Sequence, residues 1–224
     1  MRFWPQALEI ARVDLRLERR VGDSLRIVLP FAVVSLLIVP LALGARLSLI
    51  SQVGTAVFWA LGILFGMQIA LRHAATDTQE HRDLHALLGV DPAARFVGRT
   101  MSGGLLTMGF LLALFLTMLL IYGPDLPSGA IAVGALASLL MAVGLTELGT
   151  LAGEVTADLR NRTTLASLIV APLAIPLVVG ASQSMEALAR DTSILPWMLL
   201  ILATDLALAV AGVGLSRPLE DATR

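Results

Sequence analysis

Apolar residues gather into six long blocks, roughly Leu25 to Gly44, Gln52 to Leu71, Met101 to Tyr122, Gly129 to Ala152, Thr164 to Ser182 and Leu195 to Leu215. Each is about 18 to 24 residues long, enough at 1.5 Å per residue to cross a hydrocarbon core of about 30 Å. Lipid offers the backbone no hydrogen-bond partners, so a block of this length must satisfy its N–H and C=O groups internally, as a helix does. The pattern predicts an all-α membrane protein with six transmembrane helices.

Shorter patterns lie between the blocks. Trp4, Leu8, Ala11 and Leu15 recur at three- and four-residue spacing with Glu9, Arg12, Arg16 and Arg19 mostly off the stripe. This predicts an N-terminal helix, within residues 1–24, lying in the membrane interface. The strict alternation from Arg12 to Glu18 would also suit a strand, but a lone strand at a bilayer surface leaves its backbone unpaired. In residues 72–100, Asp77 is placed to cap a short helix whose Glu80 reaches back to it. Leu84, Leu87 and Leu88 form its apolar edge, Gly89 supplies the stop and Pro92 follows. That edge can rest on lipid headgroups or in a groove of another protein, and the charges around it favour the groove. From Gln183 to Ile194, Met185, Leu188 and Ala189 among Glu186, Arg190 and Asp191 predict a further short amphipathic helix, external or re-entrant. The chain reads as a single membrane domain over 1–224, with no room for a separate soluble one.

Charge fixes the expected orientation. Of the 16 basic residues, all arginine, 14 fall on the side of the N-terminus and only Arg46 and Arg190 on the other. Cytoplasmic segments carry the excess of basic residues, so both termini are expected in the cytoplasm, as in a multi-pass protein of the bacterial inner membrane. The N-terminus, charged as far as Asp23, has the wrong order for a cleaved signal peptide. A net charge of −1, with arginines interleaved among acidic residues, argues against a nucleic-acid partner. With no lysine there can be no G-x-x-x-x-G-K phosphate loop, so any ATP hydrolysis belongs to a separate subunit and this chain is expected to be non-catalytic. With no cysteine, disulfides, thiolate zinc sites and the C-x-x-C-H haem attachment motif are excluded.

Polar residues inside the blocks are the candidates for function. Asp205 falls near the middle of the sixth, where a carboxylate costs about 2.5–3.5 kcal/mol, and Glu147 and Gln68 lie deep in the fourth and second. These three are expected to make an internal polar contact. Pro172 and Pro176 each remove a backbone donor, which predicts a bent or locally unwound fifth helix. Gly62-x-x-x-Gly66 and Gly149-x-x-x-Gly153 allow close helix approach and give weaker support for dimerisation. His73, His81 and His85 share one cytoplasmic segment. His81 and His85, at i and i+4, could ligate a metal, but without an H-E-x-x-H order they read better as polar residues of a solvated helix, and no metal is expected.

The stretch Arg162-Thr163-Thr164-Leu165-Ala166-Ser167-Leu168-Ile169-Val170-Ala171-Pro172-Leu173-Ala174-Ile175-Pro176-Leu177 closely resembles the proline-paired fifth segment of the haem exporter B (CcmB) family of cytochrome c maturation. The Phe3-Trp4 start, the charged first helix, the Leu84 to Leu88 segment and Val97-Gly98-Arg99 are similar too, and the rest is shared with other type-2 ABC exporter permeases. Where the family commonly has Leu-Glu-x-Leu-Leu followed by proline, this chain has Leu84-His85-Ala86-Leu87-Leu88-Gly89. The resemblance implies a type-2 ABC permease. Its expected partners are an ATP-binding subunit docked on Glu80, Leu84, Leu87 and Leu88, a haem-handling membrane partner and a second permease copy. Haem would be exported, or a haem-loaded chaperone released, with ATP on the partner and no cofactor bound by this chain. The competing readings are a type-2 permease for a lipid, polyketide or drug, and a secondary transporter coupled to ions through Asp205 and Glu147. The second would favour inverted repeats, and the two three-helix halves show no such similarity.

Overall fold

The structure, a computed structural model, describes residues 3–21, 23–44, 47–156 and 162–222. Among these residues there are eight helices and no strand: α1 (Phe3–Val21), α2 (Asp23–Leu43), α3 (Leu47–Ala75), α4 (Gln79–Leu87), α5 (Pro92–Tyr122), α6 (Ala130–Val155), α7 (Arg162–Ala189) and α8 (Leu195–Ala222). Six of them, α2, α3 and α5 to α8, are long and apolar enough to cross a membrane. An even number of crossings brings both ends of the chain to one face, together with α1 and α4.

Helix α6 is the most deeply buried span and α2 the least. Around α6 pack α3, α5, α7 and α8. The centre is a jigsaw of Phe58 on α3, Phe110, Leu111, Leu114, Phe115 and Met118 on α5, and Met141, Leu145 and Leu148 on α6, all fully buried. Small residues decide how close the helices come. A Cβ at Gly149 would stand 2.9 Å from Ala70 Cβ, and one at Gly153 would stand 2.9 Å from Ala74 Cβ. The Gly149-x-x-x-Gly153 pair therefore seats α6 on the Ala70-x-x-x-Ala74 face of α3, inside one chain. Gly62 and Gly66 likewise face Leu111 and Leu145, so neither glycine pair forms a face for a second copy.

The elements run further than the apolar blocks. Helix α5 starts at Pro92 rather than near Met101, because Asp91 caps it by accepting the Ala93 N–H at 3.0 Å and Pro92 holds a first-turn position that needs no donor. With α3 running to Ala75, the segment between them is correspondingly short. The expected separate helix over Gln183 to Ile194 is corrected: α7 continues to Ala189, with Ser184, Met185 and Ala187 buried, and the chain turns only at Arg190 to Ser193.

Nor is α7 locally unwound at its prolines. It remains helical through Pro172 and Pro176. Pro172 is exposed and Pro176 half-buried, so neither ring is wedged into the bundle core. Each costs one i to i−4 bond, a loss that a long helix packed on α6 and α8 tolerates.

Candidate functional site

The face that carries both ends of the chain is built from α1, α4 and the neighbouring ends of α3, α5 and α6. Thr78, not Asp77, caps α4, its hydroxyl accepting the His81 N–H at 3.4 Å; Asp77 is instead buried in the turn that leaves α3. The far end closes as the sequence suggests. Val90 N–H donates to His85 O at 3.0 Å and Gly89 N–H to Ala86 O at 3.1 Å, with Gly89 at φ +69°, a left-handed conformation that favours glycine. Leu84, Leu87 and Leu88 are left exposed by 52, 86 and 64%, and Glu80 is exposed beside them. Such an apolar edge on a helix of nine residues has no covering element among the described residues.

Between α4 and α1 lies a cleft of about 750 Å³ lined by Ile10, Val13 and Leu17 on one wall and Leu84, His85 and Leu88 on the other. Helix α1 is more firmly held than an interfacial helix need be. Its buried stripe is Ala7 and Ala11, with Ile10 half-buried, while Trp4 and Leu8 of the expected stripe are exposed. The stripe is rotated because α5 offers Gly98 as a seat. A Cβ there would come within 2.6 Å of Ala7 O and 2.9 Å of Ile10 Cβ. Gln6 completes the joint, donating to Gly89 O at 3.4 Å and accepting the Asp91 N–H at 3.3 Å, so α1 also grips the turn that ends α4.

Beneath this joint is a buried polar network. Arg99 on α5 donates through Nη2 to His73 O at 2.5 Å and Thr76 Oγ1 at 3.2 Å, closing the end of α3, and its Nη1 lies 3.5 Å from Asp14 Oδ2 on α1. Ser102 donates to the same Asp14 oxygen at 3.2 Å, and His73 Nε2 stands 3.0 Å from Ser102 Oγ and 3.7 Å from Asp14 Oδ2. A turn back along α5, Arg95 Nη2 lies 3.8 Å from Glu154 Oε1 on α6, both side chains nearly buried. His73, which the sequence places in the same cytoplasmic segment as His81 and His85, is thus 4% exposed. Four elements, α1, α3, α5 and α6, meet in these charges.

His81 is exposed and His85 half-buried in the cleft wall. Among the described residues no cluster of His, Asp and Glu is arranged to hold a metal ion. Burial pushes His85 below its ordinary value of 6.5, Arg95 and His81 adding to the shift and Asp77 opposing it. Lowered in the folded protein, this group binds fewer protons than in the unfolded chain, so its contribution to stability is intact above pH 6.5 and fades as pH falls below that value. Thermal unfolding of the purified chain followed from pH 7.5 to 5 should therefore show a smaller acid loss in His85→Gln than in the natural sequence; equal slopes would remove His85 as the cause.

Of the three intramembrane polar residues, two come together. Asp205 Oδ1 on α8 packs against Gly144 of α6, one turn from Glu147, and the Asp205 charge acts on Glu147. Both side chains are 6% exposed, and neither Asp205 oxygen nor Glu147 Oε2 has a hydrogen-bond partner. Gln68 is not with them; it is exposed on α3. The arrangement is a carboxyl pair in the α6–α8 contact, and among the described residues neither carboxyl forms an ion pair with a basic side chain.

The model of the CcmB protein family matches residues 5–217, from the first turn of α1 into the last two turns of α8. No curated protein matches the chain. Together with six membrane-length helices, a match over almost the entire chain places it in the CcmB protein family, a permease component of the haem-export ABC transporter of cytochrome c maturation.

Proposed function

We propose that the chain is the permease through which a separate ATP-binding subunit drives haem export, or release of a haem-loaded chaperone, in cytochrome c biogenesis. The observation that carries this reading is the exposed edge Leu84, Leu87 and Leu88 on a short helix whose closing turn is tied to α1 through Gln6. Gln6 joins the turn after α4 to α1, and α1 is joined in turn to α5 through Asp14 and Arg99. ATP is cytoplasmic, so in this reading α4 and both termini face the cytoplasm, in agreement with the arginine bias, and the protein sits in the inner membrane. A second permease copy and a haem-handling membrane protein complete the complex. Haem is cargo here, and the chain needs no cofactor of its own.

Purification of the tagged chain in mild detergent, with identification of the co-purifying proteins, tests the partners. Haem staining of c-type cytochromes in cells lacking the chain tests the cargo. An ATP-binding subunit in the complex and loss of stained cytochromes are expected. Recovery of a lone chain, or normal cytochromes without it, would overturn the reading.

A further inference from the structure

The flank of α1 that the α4 cleft leaves free is lined by arginine. Arg12, Arg16 and Arg19, spaced by four and three residues, share one face of α1, and with Arg26 near the start of α2 they border a hollow of about 560 Å³. The apolar part of its lining is Leu15, Leu25 and, from α5, Leu105 and Leu106. Leu25 opens the first membrane-length span, and Leu105 and Leu106 lie about one turn inside the apolar block that starts at Met101. Leu105 is 52% exposed. The hollow therefore lies where the hydrocarbon of the bilayer gives way to headgroups, and its size is that of an ordinary small-ligand site.

Charge is not balanced inside it. Glu18 is the one acidic residue of the described lining, against four arginines. Arg12 lies 3.6 Å from Glu9, both well exposed, and Arg16, Arg19 and Arg26 form no ion pair with another described residue. Like charges three and four residues apart on a helix repel one another and destabilise it. Topology does not require the arrangement, because a basic residue anywhere in a cytoplasmic segment serves as an orientation signal. Gathering four of them around an apolar hollow is a separate feature. An anion among them relieves the repulsion, and the leucines select one that carries hydrocarbon.

We infer that this hollow is a binding site for an anionic phospholipid of the leaflet on the side of the chain termini. Its phosphate is held among the four arginines by charge-assisted hydrogen bonds, and the first carbons of its acyl chains lie on Leu105 and Leu106. The bound lipid joins α1 to the head of α2 and to α5.

Native mass spectrometry of the full chain in detergent, titrated with phosphatidylglycerol or with phosphatidylcholine of the same acyl chains, tests the site. Phosphatidylglycerol is expected to bind at least about 10-fold more tightly. Arg16→Gln with Arg26→Gln should weaken phosphatidylglycerol about 20-fold and leave phosphatidylcholine unchanged, since each basic residue near an anionic headgroup contributes roughly a factor of five. Both positions are exposed, so helix content by circular dichroism should be unchanged. Arg16→Lys with Arg26→Lys keeps the charge and should keep most of the affinity. Arg20→Gln with Arg72→Gln removes two exposed arginines that do not line the hollow and should change binding less than about threefold. Equal affinity for the two lipids, equal losses in the two Gln pairs, or a loss in the Lys pair as large as in its Gln counterpart would each overturn the site. Glycerol 3-phosphate and inorganic phosphate, at the concentration of the lipid, should leave the lipid bound. Displacement by either would make the hollow a site for a soluble phosphate and overturn the lipid.

Discussion

Arg99→Met is expected to lower the stability of the bundle by about 3 kcal/mol and to free α1 from it. The side chain is 5% exposed and serves four groups: Asp14 at 3.5 Å, His73 O at 2.5 Å, Thr76 Oγ1 at 3.2 Å and, through Asp14, the Ser102 hydroxyl. Methionine fills much of the volume, so the loss is chiefly electrostatic. Asp14 would be left as a largely buried carboxylate with no cation beside it, and the last turn of α3 would lose a cap. Limited trypsin digestion reads the second effect directly, because trypsin cuts this lysine-free chain only at arginine and α1 carries Arg12, Arg16, Arg19 and Arg20. Cleavage in α1 should be faster in Arg99→Met, while the arginines elsewhere serve as internal controls. The double variant Asp14→Asn with Arg99→Met removes both charges and should recover a substantial part of the stability. Thermal unfolding in detergent that finds the single and double variants alike would show that Arg99 acts through packing and not through its charge.

The spans were legible because a bilayer imposes one period and one minimum length, and no local motif is needed to see six apolar blocks. The stop of α4 was legible for a similar reason: a left-handed residue after a helix selects glycine whatever surrounds it, and Gly89 has φ +69°. Its start was misread by one residue, since Asp77 and Thr78 are both good caps and only the fold, which buries Asp77, chooses between them. The polar network was invisible. Asp14 meets Arg99 across 85 positions and Ser102 across 88, and taken one at a time each looks like an ordinary interfacial charge or hydroxyl. Arginines that set topology and arginines that knit helices together have the same sequence signature. Asp205 and Glu147 were found because a carboxylate in an apolar block is conspicuous by itself, whereas Gln68, equally conspicuous, is exposed on α3. Which face of a helix turns inward depends on neighbours far away in the chain, and Gly98 turning α1 by its fit to Ala7 and Ile10 is the clearest case.

Leu84→Asp together with Leu88→Asp is expected to weaken the complex with the ATP-binding subunit at least about 100-fold while leaving membrane insertion unchanged. Both side chains are largely exposed in the chain alone, by 52 and 64%, so polar replacements cost the isolated fold little. In the proposed complex the same atoms are desolvated. Two buried, unpaired carboxylates there would cost several kcal/mol, far more than the two lost apolar contacts. Glu80→Gln, at the exposed start of α4, is the matched control: a rim charge contributes mainly to the association rate, and a change of less than about threefold is expected. Co-purification in mild detergent measures the loss, and haem staining of c-type cytochromes measures its consequence. A further contrast separates docking from lipid contact. Leu87, 86% exposed, lies about 60° from Leu84 and about 100° from Leu88 around the helix, away from the cleft that those two share with α1. If the partner occupies that cleft, Leu87→Asp weakens the complex less than Leu88→Asp does. If instead the double variant keeps its ATPase and loses membrane recovery, α4 rests on lipid, and the drive for transport must reach the bundle by another surface.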